Sequence, residues 1–195
     1  MKKYLVWIVV FVVLVGCNKT EDIVENEHLP AKALLNVVYG NDSEQIMDVY
    51  LPSGRDENTK TIVLVHGGGW SGGDKSSFDY YVPVLQAQFP GCAVVNVNYR
   101  LATVASPAIP KQVEDLEQMV SFLKASDYHI STDFAFIGAS ASAHLSMLYA
   151  YHYDENHDVK ALSSIVGPTD FTDPAYTANP LYSQFAFGFL VGPVS

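Results

Sequence analysis

Two short segments carry residue types suited to nucleophilic chemistry. The first, H-G-G-G-W at residues 66–70, follows the apolar run Thr61–Val65. Three consecutive glycines have no Cβ atoms, so their amide N–H groups can turn toward a ligand, and the segment predicts an oxyanion-binding loop. A plain glycine turn is the alternative. A phosphate-binding loop fits less well, because neither G-x-x-x-x-G-K-[ST] nor G-x-G-x-x-G follows a strand.

The second segment, G-A-S-A-S-A-H at residues 138–144, supplies a candidate nucleophile. It lies between the apolar run 134–137 and a predicted helix. A serine on such a turn is held in a strained conformation that exposes its hydroxyl, and the adjoining helix N-terminus favours negative charge. Ser140 is therefore the candidate nucleophile. Because G-x-S arises by chance about once per chain, this interpretation depends on the strand, the helix and the earlier glycine segment.

Both segments lie in a predicted alternation of strands and helices. Short apolar runs of the kind found in buried parallel strands cover Thr61–Val65, 92–97, 134–137 and 162–166. Helices are predicted over 78–88, Lys111–Ala125 and 141–151, and a hairpin over 34–39 and 45–51 through the turn 40–43. This order predicts an α/β fold with a mainly parallel sheet and helices on both faces. Ligands of such sheets bind at the C-terminal ends of the strands, where both segments lie.

The composition agrees with one folded domain. The 195 residues are 49% hydrophobic and 16% charged, which indicates a chain that folds around a core. The formal net charge is −10, and no stretch gathers basic residues into a patch that could neutralise phosphates. Nucleic acid is therefore not an expected partner.

The N-terminus has the features of a lipoprotein signal peptide. Two lysines precede 12 apolar residues at positions 4–15, which is shorter than the about 20 residues that span a bilayer. The run ends in L-V-G-C, which resembles the bacterial lipobox, so we expect cleavage after residue 16 and lipidation of Cys17. Residues 17–32 are then a polar tether and 33–195 the folded domain. These features predict a lipid-anchored protein of the cell envelope, with the membrane as a partner.

The two segments together resemble a known fold family. With S-G-G-D-K at 71–75, N-Y-R-L at 98–101 and Asp115, they resemble the α/β-hydrolase fold over about residues 33–175. The similarity is closest to carboxylesterases related to hormone-sensitive lipase and to bacterial feruloyl or acetyl-xylan esterases. In that family the nucleophile motif commonly reads G-x-S-A-G-G-H, so Ser142 and Ala143 replace two glycines here. We expect the added side chains to shift the turn or slow the enzyme without abolishing activity.

The resemblance implies a serine hydrolase that cleaves carboxylic esters through an acyl-enzyme intermediate. Ser140 would attack the ester carbonyl, and the N–H groups of Gly68, Gly69 and Ala141 would bind the oxyanion. The resemblance implies no metal and no organic cofactor. Its substrates would be small-molecule esters or esters linked to polysaccharide.

The acid and the histidine of a catalytic triad are not evident in this sequence. In this fold both follow the serine on later strands. His28, His66 and His129 precede Ser140, His144 lies one helical turn beyond it and is expected to point down the helix, and His152 and His157 are expected to be solvated. Asp170 is interpreted as a connecting-loop residue in preference to a site residue.

We therefore expect the sequence to be a fragment or a truncated product. Two more strand and helix units, roughly 60 residues, would bring the acid and the histidine. The alternative is a non-catalytic envelope lipoprotein that binds a ligand in a hydrolase-like cleft.

Overall fold

A six-stranded sheet forms the centre of the molecule. The structure is a computed structural model that describes residues 28–179 and Leu190. The strands are β1 Lys32–Val38, β2 Ile46–Leu51, β3 Thr61–Val65, β4 Ala93–Val97, β5 Phe134–Ala139 and β6 Val159–Ile165, in the order β1-β2-β4-β3-β5-β6. β2 is antiparallel to both β1 and β4, whereas β4, β3, β5 and β6 are mutually parallel. The predicted α/β class with a mainly parallel sheet is confirmed.

Helices cover both faces of this sheet. They are α1 Tyr81–Gln88, α2 Lys111–Ala125, α3 Ala141–Leu148 and the short α4 Pro174–Thr177. On one face, Val82 of α1 packs with Phe78 against Leu64 of β3 and Val94 of β4. The larger core lies on the other face, where apolar side chains of α2 and α3 pack against the sheet: Val63, Val65, Val95, Val97, Leu116, Met119 and Leu145. The apolar stripe predicted on α2 is buried in this core.

Several predicted elements begin or end at different residues. The predicted helix 78–88 starts only at Tyr81, because a 3-10 turn, Lys75–Phe78, precedes it and is capped by the Asp74 carboxylate. α3 ends at Leu148 and continues as one π-helical turn, Tyr149–Tyr153. The boundaries predicted for the last strand, 162–166, were wrong, because β6 pairs with β5 from Val159 onward and is mostly exposed.

The N-terminal predictions fall largely outside the described residues. The predicted signal peptide 1–16 and the lipid acceptor Cys17 belong to that part, so the anchor stays a prediction. At the end of the predicted tether, the Leu29 carbonyl accepts the Gly54 N–H and the Pro30 carbonyl accepts Arg55 Nη1, so this end lies against the loop after β2. In the part of the chain that the structure describes, no helix combines the length and apolarity needed to cross a bilayer.

Candidate functional site

Ser140 occupies the turn between β5 and α3. Its φ and ψ angles are 56° and −118°, in the region of positive φ that favours glycine. The Ser140 N–H donates a 2.8 Å hydrogen bond to the Ile165 carbonyl at the end of β6. Ser140 itself is exposed. The turn therefore presents the hydroxyl at the C-terminal edge of the sheet, in a strained conformation that neighbouring strands hold in place.

The glycine segment lies directly beside this turn. It follows β3, the neighbour of β5, and Val65 at the end of β3 is in register with Gly138. A Cβ atom added to Gly67 would lie 2.6 Å from the Ala139 carbonyl oxygen and 3.6 Å from Ser140 Cβ. Only glycine fits at residue 67. The structure thus brings the two segments predicted from sequence into contact.

Backbone amides of the glycine segment are available to a ligand. Gly68 and Gly69 have φ angles of 133° and 57°. The Gly68 carbonyl accepts the N–H groups of Ser71 and Gly72, which turns the loop, whereas within residues 28–179 the N–H groups of Gly68 and Gly69 donate no hydrogen bond. Ala141 is the first residue of α3, where N–H groups lack intrahelical partners. The three predicted oxyanion donors therefore lie at the same sheet edge as Ser140.

His66 is buried and contacts the glycine segment and Tyr99. Its Nδ1 lies 2.8 Å from the Gly67 carbonyl oxygen, and because a carbonyl only accepts, Nδ1 carries the proton. The imidazole stacks on Tyr99 with ring centroids 4.5 Å apart, and the Tyr99 hydroxyl donates to the His66 carbonyl at 2.7 Å. Burial lowers the pKa of His66, which favours the neutral ring with its proton on Nδ1. His66 is therefore a structural part of the loop.

Trp70 and Phe171 form an aromatic cluster with His144, which the sequence did not reveal. Trp70 is buried with φ of 62°, and its carbonyl accepts Gln112 Nε2 at 2.6 Å. The His144 ring lies edge-on to both Trp70, at 5.8 Å, and Phe171, at 5.0 Å. The only sequence signal for Trp70 was its place directly after the glycines.

None of the six histidines supplies a base to Ser140 in the part of the chain described. All six lie within residues 28–179, where no hydrogen bond joins any imidazole to Ser140 Oγ. Burial lowers the pKa of His144 to about 4, far from the value that a general base needs near neutral pH. His152 and His157 are exposed, as expected.

Asp170 behaves as a loop residue. It is exposed, and its carboxylate accepts the N–H and the hydroxyl of Thr172, which lowers the Asp170 pKa. This agrees with the interpretation as a connecting-loop aspartate. Among residues 28–179, no cluster of three or more histidine, cysteine or acidic side chains could hold a metal ion.

Ser142, which stands where the related motif has glycine, is held by hydrogen bonds to the backbone. The side chain is fully buried, and its Oγ lies 2.6 Å from the Val65 carbonyl oxygen and 2.9 Å from the Ala139 nitrogen. The hydroxyl therefore pairs with the backbone polar groups that surround it. Ala143 is also buried and packs toward Gly167, where an added Cβ would come within 2.6 Å of Ala143 Cβ.

Comparison with known protein families and structures adds to this geometry. The BD-FAE family model matches residues 47–186, which is more than half of the chain. The chain belongs to the BD-FAE family. The matched residues include β3, the glycine segment, α2, Ser140 and α3.

Relatives of this BD-FAE chain include two kynurenine formamidases. Kynurenine formamidase from Danio rerio is 30% identical over 151 residues, which cover 71% of this chain and 47% of that protein. The Salmo salar enzyme of the same name is also 30% identical, over 60% of this chain and 38% of that protein. The chain thus spans less than half the length of these two curated relatives.

Solved structures confirm the α/β-hydrolase fold. Esterase B from Lactobacillus rhamnosis superimposes with a TM-score of 0.63 at 22% identity, covering 83% of this chain and 57% of that one. A thermostable carboxylesterase cloned from a metagenomic library gives a TM-score of 0.63 at 20% identity, covering 85% and 60%. The fold expected from the resemblance is therefore shown.

Gly68→Ala should strongly impair any reaction of the BD-FAE site that uses the glycine loop. An added Cβ would lie 2.0 Å from the Gly72 carbonyl oxygen, and φ of 133° strains any other residue. Because the loop must move, we expect kcat of a reaction that uses its amides to fall about 10²- to 10³-fold, the loss typical of one oxyanion donor.

Gly91→Ala is the matched control, because an added Cβ there meets nothing within 4 Å. Steady-state rates of p-nitrophenyl acetate hydrolysis measure both variants. Equal rates for Gly68→Ala and Gly91→Ala would contradict a role of the loop.

Proposed function

We propose that this BD-FAE chain contributes the nucleophile and the oxyanion-binding loop of a serine hydrolase that cleaves carboxylic esters through an acyl-enzyme. The observation that supports the proposal is the approach of the glycine segment to Ser140, with an added Cβ at Gly67 only 3.6 Å from Ser140 Cβ. A nucleophile on a strained, exposed turn beside unpaired amides is the arrangement that acyl transfer requires.

The chemistry follows from these groups. Ser140 Oγ forms a bond to the carbonyl carbon while a base takes the hydroxyl proton. The carbonyl oxygen becomes an anion and accepts hydrogen bonds from the N–H groups of Gly68, Gly69 and Ala141, each commonly worth about 3 kcal/mol in the transition state. The intermediate expels the alcohol, which takes the proton from the base. Water then attacks the acyl-enzyme while the base takes its proton, and the second tetrahedral intermediate expels Ser140 Oγ, which takes the proton back as the carboxylic acid is released.

The base and its carboxylate partner are proposed to lie outside this sequence. No histidine hydrogen-bonds to Ser140 Oγ in residues 28–179, and the low pKa of His144 keeps it a poor proton acceptor at neutral pH. The chain spans less than half of the formamidases it matches. A downstream reading frame that encodes an acid and then a histidine, each after a further strand, would support this assignment.

Esters are the proposed substrate class, either small-molecule esters or esters on polysaccharide. The structural neighbours named above are esterases, and one similar chain is described as a bifunctional GH43-CE protein of Bacteroides eggerthii. A formamide is the second candidate, because the curated relatives are formamidases. Both reactions pass through a tetrahedral oxyanion on a serine, so the same three amides would serve either one.

A fluorophosphonate probe tests the proposal on the complete protein. The probe phosphonylates serines that are activated as nucleophiles, and we expect mass spectrometry to locate the adduct on the peptide that contains Ser140. Hydrolysis of p-nitrophenyl acetate and of a formanilide then separates esterase from formamidase activity. Absence of both labelling and hydrolysis would instead favour a lipoprotein that binds a ligand in this cleft without cleaving it.

A further inference from the structure

Ser142 makes contacts that the proposed chemistry does not yet use. It stands two residues after the nucleophile, on the first turn of α3, and no part of its side chain reaches solvent. Its Oγ lies 2.6 Å from the Val65 carbonyl oxygen, 2.9 Å from the Ala139 nitrogen and 2.9 Å from the Ala139 carbonyl oxygen. A buried hydroxyl with three backbone neighbours is a specific arrangement, because each of these polar groups needs a partner.

The direction of these hydrogen bonds follows from donor chemistry. The Ala139 N–H can only donate, so Ser142 Oγ accepts from it. A hydroxyl has one proton, and the shorter contact assigns that proton to the Val65 carbonyl. The result is a relay from the Ala139 N–H through Ser142 Oγ–H to the Val65 carbonyl. This relay joins the C-terminal ends of β5 and β3.

The two backbone residues in the relay directly precede the two halves of the site. Ala139 is bonded to Ser140, and Val65 is bonded to the first residue of the glycine segment. Val65 and Gly138 are the last residues of β3 and β5 that are in register. Beyond this pair β3 and β5 are no longer paired with each other, and the Ser142 hydrogen bonds begin where the pairing of the two strands ends.

We propose that Ser142 is a positioning residue whose hydroxyl sets the spacing between Ser140 and the oxyanion donors of the glycine segment. The inference rests on the function proposed above. Nucleophile and oxyanion donors must be held within about 0.5 Å of productive geometry. Without the hydroxyl, the link beyond the last paired residues of β3 and β5 is lost, and a small displacement raises the barrier of the chemical step more than it weakens ground-state binding.

Ser142→Ala and Ser146→Ala form a matched pair for the test. Both serines lie on α3 and both are fully buried, but Ser146 Oγ has no hydrogen-bond partner among the described residues. In the complete protein we expect Ser142→Ala to lower kcat about tenfold per titrated active site, with KM within about twofold of the parent value. Ser146→Ala should leave both constants unchanged. Counting active sites by burst titration removes any loss that comes only from unfolded protein.

Ser142→Gly provides a second, independent variant. Glycine is the residue that the related motif commonly carries at this position, so it fits the turn but brings no hydroxyl. We expect the same loss in kcat as for Ser142→Ala. Parent-like kcat in Ser142→Gly would overturn the inference, as would equal kcat values in Ser142→Ala and Ser146→Ala.

Failure of this inference can be told apart from failure of the proposed function. If Ser140→Ala still reacts with the fluorophosphonate probe at the parent rate, the proposed nucleophile is wrong and the inference falls with it. If Ser140→Ala abolishes labelling but Ser142→Ala retains the parent kcat, only the positioning role is wrong. Loss of labelling in Ser140→Ala together with a kcat-specific loss in Ser142→Ala supports both.

Discussion

Replacing Ser140 by alanine should lower kcat for ester hydrolysis by the complete protein at least about 10⁴-fold. In the proposed mechanism the substitution removes the atom that forms the acyl bond, whereas the proposed oxyanion donors remain and sustain only a small residual rate. Steady-state kinetics with p-nitrophenyl acetate and labelling with a fluorophosphonate probe measure the loss. A variant that retains more than about one tenth of the parent rate would assign the nucleophile to another residue.

Ser140→Gly should abolish the same activity while making the protein more stable. Residue 140 has φ of 56° and ψ of −118°, a conformation that costs a residue with a Cβ about 1–3 kcal/mol and costs glycine little. Part of this gain is lost because glycine has more freedom in the unfolded chain. We therefore expect the free energy of unfolding, measured by urea denaturation, to rise by about 1 kcal/mol relative to Ser140→Ala. Equal stability of the two variants would show that the turn stores no strain.

Asp115→Ala should cause the largest loss of stability, about 2–3 kcal/mol, because the Arg100 side chain is partly exposed and its charge stays partly solvated. The Asp115 carboxylate is fully buried on α2 and accepts hydrogen bonds from the Arg100 N–H, Nε and Nη2 and from Gln45 Nε2. The hydrogen bond to Asp115 raises the pKa of the Arg100 guanidinium. Removing the carboxylate leaves the Arg100 N–H and the Gln45 amide without this acceptor and weakens the contact of the segment after β4 with α2, which the hydrogen bond from Gln112 Nε2 to the Arg100 carbonyl still joins.

Glu114→Ala is the control for this prediction. Glu114 is adjacent in sequence but exposed, and its carboxylate lies 4.0 Å from Arg100 Nη2. An exposed ion pair contributes at most about 1 kcal/mol, so this variant should stay close to the parent. Urea denaturation monitored by tryptophan fluorescence compares the two. A loss below about 1 kcal/mol in Asp115→Ala would show that the cluster is not what joins the segment after β4 to α2.

The elements that position the site could be predicted because their patterns are local and strong. Thr61–Val65 is a continuous apolar run that is buried on both faces, and Lys111–Ala125 carries one apolar stripe; both were predicted with correct bounds. The contact between the glycine segment and Ser140 followed from a general rule, because parallel strands end at the same edge of a sheet. In each case the sequence pattern and the tertiary role agree.

Other features depend on contacts that no sequence pattern encodes. β6 was predicted too late because its residues are mostly exposed, so apolarity did not mark its start at Val159. His144 was expected to point along α3, whereas its ring packs between Trp70 and Phe171 from two distant segments. The hydrogen bond of Ser142 to the Val65 carbonyl could not be predicted, because it joins residues 77 positions apart. Contacts between segments that are distant in sequence are seen only in the folded structure.

Close backbone packing also limits how this protein can be re-engineered. An added Cβ at Gly138 would lie 2.6 Å from the Ser142 carbonyl oxygen and 2.7 Å from the Ala143 nitrogen, and one at Gly67 would meet the Ala139 carbonyl. Saturation libraries at residues 67 and 138 that are selected for folded protein should therefore return almost only glycine. Sequence changes near the site are better tolerated in the loops that contact it, such as the loop with Ala102, whose N–H donates to the Trp70 carbonyl, and the loop with Phe171, which packs on His144.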